Sequence, residues 1–184
     1  GTAAAASRLV AARNAEEKIL IVGDFDADGA TATAVMMTCL RRFGFSHVSY
    51  LVPDRFRFGY GLSAGLVAEA SLRKPDVIIT VDNGISSHQG VAAANALGID
   101  VIITDHHLPG ETLPAAFVIV NPNAPDSKFP SKALAGVGVA FYVMAALGQQ
   151  LAGEGLIDAT DARTSVADCL DLVSLGTVAD LVPL

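Results

Sequence analysis

Short apolar runs alternate along the chain with longer stretches whose apolar residues recur at helical spacing. I-L-I-V-G (19–23), H-V-S-Y-L-V (47–52), D-V-I-I-T-V (76–81), D-V-I-I-T (100–104) and F-V-I-V (117–120) carry the β-branched residues of strands. Among them the pattern predicts helices over about Ala30–Phe43, Ser63–Arg73, Ser86–Leu97, Val139–Leu151 and Ala162–Leu175. Strands apolar on both faces and separated by helices are the parts of βαβ units. The expected fold is therefore α/β, a mostly parallel sheet of about five strands with helices on both faces. No internal repeat is present, and the one biased segment is the alanine run at the start. The long loops, 53–61 and 121–138, are rich in Pro, Gly and Asn. Loops of this kind over a rigid sheet commonly carry function.

Composition agrees with a folded chain. Of 184 residues, 52% are hydrophobic and 17% charged, enough for one domain with a substantial core. The strand-like runs are far too short to span a bilayer, and no basic-then-apolar leader opens the chain, so the expectation is a cytoplasmic protein without a membrane partner. Cys39 and Cys169 lie far apart in apolar, helix-like segments and read as two reduced core thiols. The net charge of −7 argues mildly against a nucleic-acid surface, although two bound divalent cations would offset more than half of it. The alanine-rich start and the L-V-P-L end, just after an acidic motif, suggest that 1–184 is one catalytic domain cut from a longer polypeptide.

The candidate chemistry begins at G-D-F-D-A-D-G, residues 23–29. Alternate aspartates closed by glycine resemble a calcium-binding EF-hand loop, which requires a bidentate glutamate at its twelfth position. Counted from Asp24 that position is Val35, and the preceding segment is a strand rather than a helix. The calcium loop is excluded. What remains is a strand that ends in Asp24, Asp26 and Asp28. Sites in open α/β sheets form beyond the carboxyl ends of the strands. There the third strand delivers Asp82, the fourth Asp105, His106 and His107, and the fifth Asn121. Neighbouring strands lie about 5 Å apart, so these groups can share a metal. Three carboxylates in five residues repel one another unless a cation offsets them, and no Lys or Arg lies between Lys18 and Arg41. The mixture of Asp and His suits Mn²⁺ or Mg²⁺, accommodates Zn²⁺ or Co²⁺, and exceeds what one ion needs, which points to a two-metal site for attack on phosphate esters. Asp105 reads as a local structural residue, and His47 and His88 as surface or core histidines.

G-D-F-D-A-D-G, T-V-D-N-G-I, T-D-H-H and G-T-V-A-D, in this order, resemble the successive motifs of the DHH phosphoesterases. P-D-R-F-R-F-G-Y-G-L-S and S-K-A-L-A-G-V-G-V-A-F narrow the resemblance to the bacterial single-stranded-DNA-specific exonucleases of that superfamily. It runs from about Ile19 to the C-terminus. It implies 5′-to-3′ hydrolysis of single-stranded DNA to 5′-mononucleotides in repair and recombination, with two Mn²⁺ ions or, alternatively, Mg²⁺. It further implies Asp26, Asp28, Asp82, His106 and Asp180 as metal ligands, with Asp82 bridging and Asp24 a ligand or a group behind one. His107 would face the scissile phosphate, Arg55 would pair with a phosphate and Tyr60 would stack on a base. Without the motif, Asp180 reads as a solvated helix-end residue, and Gly136 and Gly138 read as allowing a tight turn before a helix. The resemblance also implies C-terminal DHH-associated and OB-fold domains, expected to be absent from 1–184, and a helicase and a single-strand-binding protein as candidate partners. The expected chain is a monomer. Three alternatives remain: a DHH phosphodiesterase of short oligonucleotides, a haloacid-dehalogenase-type phosphatase using Asp24 as nucleophile, and a non-catalytic scaffold. The phosphatase leaves D-H-H without a role, and a scaffold should have lost ligands that this sequence keeps.

Overall fold

The computed structural model describes residues 1–183. Its sheet contains β1 (Ile19–Val22), β2 (Val48–Leu51), β3 (Val77–Val81), β4 (Asp100–Thr104) and β5 (Val118–Val120), all parallel, in the order β2-β1-β3-β4-β5. The helices are α1 (Thr2–Asn14), α2 (Ala27–Arg42), a single turn α3 (Arg55–Phe58), α4 (Ala64–Ser71), α5 (His88–Ala96), α6 (Gly136–Gly153), α7 (Ala159–Ala167) and α8 (Leu170–Ala179).

The pleat divides each central strand between two cores. Ile19 and Ile21 of β1, Val77, Ile79 and Val81 of β3, and Ile102 of β4 face α1, α2, α6 and α7. Leu20, Val22, Ile78, Val101 and Ile103 face the thinner layer of α4 and α5. That layer packs closely, because Gly90 of α5 lies against the Leu62 carbonyl where a Cβ could not fit. β1 and β3 are buried at every position, which explains their unbroken apolar runs.

Two helices differ from the sequence reading. The alanine-rich start is α1, which buries Ala5, Ala6, Leu9, Val10 and Ala12 and packs on α6. Arg8 ties it to Asp100 and Glu17 through ion pairs of 2.6 and 2.7 Å. The helix expected over Ala162–Leu175 is two helices, broken at Asp168–Cys169. The break lets α7 lie along α6 while α8 packs on α2, two directions that one straight helix cannot follow. It also brings the cysteines together: both are buried free thiols, with Sγ atoms 3.9 Å apart. Helix α6 is the one helix among the described residues long and apolar enough to cross a membrane, and 56% of it is buried inside the protein, as befits the central core helix.

Candidate metal centre

In the order 2-1-3-4-5, the connections leaving β1 and β3 pass to opposite faces of the sheet and open a crevice at their carboxyl ends. The first connection delivers Asp24 and Asp26, with Asp28 in the opening turn of α2. β3 runs directly into Asp82, whose backbone takes the left-handed φ of 61°. That conformation is uncommon outside glycine, although Asp and Asn tolerate it best. β4 runs into Asp105, His106 and His107, and Asp180 caps the carboxyl end of α8.

The side chains converge on one point. His106 Nε2 lies 3.2 Å from Asp82 Oδ1, 3.6 Å from Asp180 Oδ2 and 3.8 Å from Asp28 Oδ2. Asp82 Oδ1 and His106 Nε2 are buried, and among the described residues neither has a partner other than the other. Three sets have ligand atoms within 4.8 Å of one another: Asp28, His106 and Asp180; Asp24, Asp26 and Asp82; and Asp82, His106 and His107. Asp82 thus joins the aspartates of the first strand to the histidines of the fourth.

The surrounding backbone holds these groups in place. Asp28 accepts from the N–H groups of Gly136 (2.6 Å) and Val137 (2.8 Å), so the positive end of α6 supports its carboxylate. These amides therefore serve a side chain, which goes beyond the tight-turn role read for Gly136. A Cβ on Gly136 would lie 2.6 Å from Asp82 Oδ1, and one on Gly176 would lie 2.9 Å from Asp28 Oδ1. Asp26 accepts from Gly29 N (2.8 Å) and caps α2. Asp24 is buried, and its Oδ1 accepts from Phe25 N at 2.8 Å.

Burial of so many carboxylates shifts their titration. Asp82 is pushed up to about 7, first by burial and then, against the helpful His106 ring, by Asp28. Burial also raises Asp28, outweighing the two amide hydrogen bonds, and raises Asp24. Burial works against charge on His106, but Asp82 outweighs it and holds the imidazole above its ordinary value. Without a cation, the cluster therefore retains protons that ordinary carboxylates would have released.

Asp105 does not join the cluster. Its buried carboxylate accepts from Ile85 N (2.8 Å), His106 N (2.7 Å), His107 N (3.1 Å) and His107 Nδ1 (2.8 Å), the structural role read from sequence. Burial disfavours its charge, but the bonds from His107 and Ile85 prevail and lower its pKa. The bond to Asp105 in turn raises His107 to about 9 against partial burial. Tyr60 Oη donates to the Asp82 carbonyl and sits 3.2 Å from His107 Nδ1, so its hydroxyl belongs to the centre while half of its surface stays exposed. The Arg55 guanidinium stacks 4.1 Å from the ring centroid of Phe25, beside Asp24 and Asp26. A cleft of about 530 Å³ opens alongside, lined by Tyr60, Ser63, Ser87, His88, Asp105 and His107.

A sequence model of the DHH family, N-terminal domain, matches residues 18–177. The chain belongs to the DHH family. This DHH domain is 59% identical over 168 residues to the single-stranded-DNA-specific exonuclease RecJ of Escherichia coli, covering 91% of this chain and 29% of the relative. It is 35% identical to the crystal structure of exonuclease RecJ bound to manganese, with a TM-score of 0.85 over 100% of this chain and 44% of the other. It is 34% identical to RecJ in complex with Mn²⁺ from Thermus thermophilus, with a TM-score of 0.78 over 100% of this chain and 24% of the other. The chain thus spans about three-tenths of the length of the curated relative.

The donor set of this DHH domain fits hard divalent cations. Oxygen predominates, imidazole is present, neither cysteine is in the set, and the buried Asp82 Oδ1 and His106 Nε2, 3.2 Å apart, have no partner other than each other among the described residues. Sequence reasoning missed the close-approach glycines Gly29 and Gly176 and the side chain of Asn123, which reaches the His106 carbonyl at 2.6 Å. A glycine within the helical G-T-V-A-D motif and the doubled Asn of N-P-N were the available signals.

Proposed function

We propose that this domain is the catalytic core of a metal-dependent 5′-to-3′ exonuclease that hydrolyses single-stranded DNA to 5′-mononucleotides in repair and recombination. The observation that carries the reading is the convergence of Asp28, Asp82, His106 and Asp180 beside Asp24 and Asp26, with Asp82 common to both halves. Asp28, His106 and Asp180 would hold one divalent cation, and Asp24, Asp26 and Asp82 a second, with Asp82 shared. Mn²⁺ is the first choice and Mg²⁺ the alternative. When bound, such a pair supplies a nucleophilic water near neutral pH and neutralises charge on the phosphate.

The protein's own groups do the remaining work. The amides of α6 and the left-handed turn at Asp82 fix the carboxylates before substrate arrives. Asp105 holds His107 by Nδ1 and favours its protonated form, which leaves Nε2 to stabilise a phosphoryl oxygen or protonate the departing 3′-oxygen. Tyr60 buttresses both Asp82 and His107, and its ring offers a face to a base. Arg55, stacked on Phe25 at the mouth, pairs with a phosphate. The protein would act as a cytoplasmic monomer beside a helicase and a single-strand-binding protein.

The test is release of mononucleotides from a 5′-phosphorylated, end-labelled single strand, with and without Mn²⁺, run beside a duplex and the Asp82→Ala and His106→Ala variants. Metal-dependent, strand-selective release lost in both variants is expected. Normal rates in either variant at unchanged metal content would sink the assignment.

A further inference from the structure

We propose that Asn123, aligned by Asn121, is the positioning residue that sets His106 in the metal centre, an inference that rests on the two-cation reading above. A metal-ligating histidine is ordinarily oriented by a hydrogen bond to its second ring nitrogen. The hydrogen bonds that His106 makes among the described residues, apart from the approach of Nε2 to the carboxylates, are to its backbone N–H and carbonyl and not to Nδ1. Its ring is therefore aimed by its backbone, together with packing on the His107 ring at 4.5 Å between centroids.

That backbone is gripped at both ends. The His106 N–H donates to Asp105 Oδ1 (2.7 Å), and its carbonyl accepts from Asn123 Nδ2 (2.6 Å). Asn121 makes the matching contact one residue on, with Nδ2 donating to the His107 carbonyl at 2.9 Å. The Oδ1 of Asn121 accepts from the Asn123 backbone N–H at 2.7 Å, which fixes where Asn123 begins. N-P-N therefore lays two amide side chains across consecutive carbonyls of the histidine loop. A residue needed only to form the turn would use its oxygen alone. Here the amide nitrogen of each asparagine reaches a carbonyl of the histidine pair. The anchoring segment is itself braced, because Lys132 Nζ donates to the carbonyls of Pro122 and Ser127.

The test uses metal-free protein and Mn²⁺ calorimetry on wild type, Asn123→Ala and Asn123→Asp, with the visible spectrum of the Co²⁺-loaded forms. Asn95→Ala is the control, since it removes an equivalent bond, Asn95 Nδ2 to the Ala115 carbonyl at 2.8 Å, away from the site. Both Asn123 variants are expected to bind Mn²⁺ about 10-fold or more weakly, to alter the Co²⁺ spectrum, and to speed amide exchange of His106 and His107 in the metal-free state. Asn95→Ala should leave all three unchanged. Wild-type Mn²⁺ affinity and an unaltered Co²⁺ spectrum in both Asn123 variants would overturn the clamp alone. A wild type that binds no Mn²⁺ would overturn the metal reading and the clamp with it.

Discussion

Asp82→Asn should make the metal-free protein more stable while removing its response to metal. The carboxyl of Asp82 is displaced from an ordinary 3.8 to about 7, chiefly by burial. At about 1.4 kcal/mol per pH unit, ionising it in the metal-free fold costs on the order of 4 kcal/mol. The folded value is raised above the unfolded one, so this cost is absent below pH ~4, grows as pH rises through about 7, and is constant above. Asparagine has the shape of the protonated acid and tolerates the left-handed φ of 61°, so the backbone is undisturbed. A chain of this size gains about 2–4 °C per kcal/mol, which allows up to roughly 15 °C for the variant over wild type at pH 8 in chelator. At pH 4.5, where about 1 kcal/mol of the cost remains, the gap should shrink to roughly 2–4 °C. Added Mn²⁺ should raise the wild-type melting temperature strongly and the variant's little, so that the order reverses. Calorimetric melts at both pH values, with and without Mn²⁺, check this. A variant that melts below wild type at pH 8 in chelator, or by the same margin at both pH values, would refute the electrostatic reasoning.

Gly136→Ala should destabilise the fold by about 1–3 kcal/mol and weaken Mn²⁺ binding together, because its Cβ would sit 2.6 Å from Asp82 Oδ1; melts and calorimetry report both, and wild-type metal affinity would contradict the close-approach role. Asp105→Asn should drop His107 from about 9 toward its ordinary 6.5, as read by its imidazole resonances in an NMR titration. In wild type, the pair's stabilisation is full between the ordinary carboxylate value of 3.8 and the ordinary imidazole value of 6.5, is lost as pH rises through about 9 and again in stronger acid as Asp105 protonates, a dependence the variant should not show. Tyr60→Phe keeps the ring but loses the hydroxyl contacts to the Asp82 carbonyl and His107, so kcat should fall about fivefold with KM little changed. A rise in KM alone would assign the Tyr60 hydroxyl to substrate binding instead.

Most of the sheet and the positions that line the centre were legible in the sequence, for a shared physical reason. Buried parallel strands must be apolar throughout, so Ile19–Val22 and Val77–Val81 announce themselves, and the first polar residues past them fall at the carboxyl edge where such sheets place sites. Asp180 was legible only through its motif, since it reaches His106 from the end of a helix far along the chain. What stayed hidden depends on close approach in three dimensions. The bend at Asp168–Cys169 leaves helical spacing intact on both sides, so periodicity could not show it. Gly136 and Gly176 matter because of what a Cβ would strike, and Asn123 because of which carbonyl it reaches. The α1 alanines are core residues precluded from showing a strong apolar stripe by their small size, yet Ala5, Ala6 and Ala12 are fully enclosed.

If this chain by itself assembles two cation sites joined at Asp82, as proposed, the stoichiometry of Mn²⁺ bound to metal-free protein will show it. Counting bound Mn²⁺ at equilibrium, by electron paramagnetic resonance of the free ion, should give two ions per chain for wild type and fewer for Asp82→Ala. A count of zero or one for wild type, or two ions undiminished by loss of Asp82, would contradict the account.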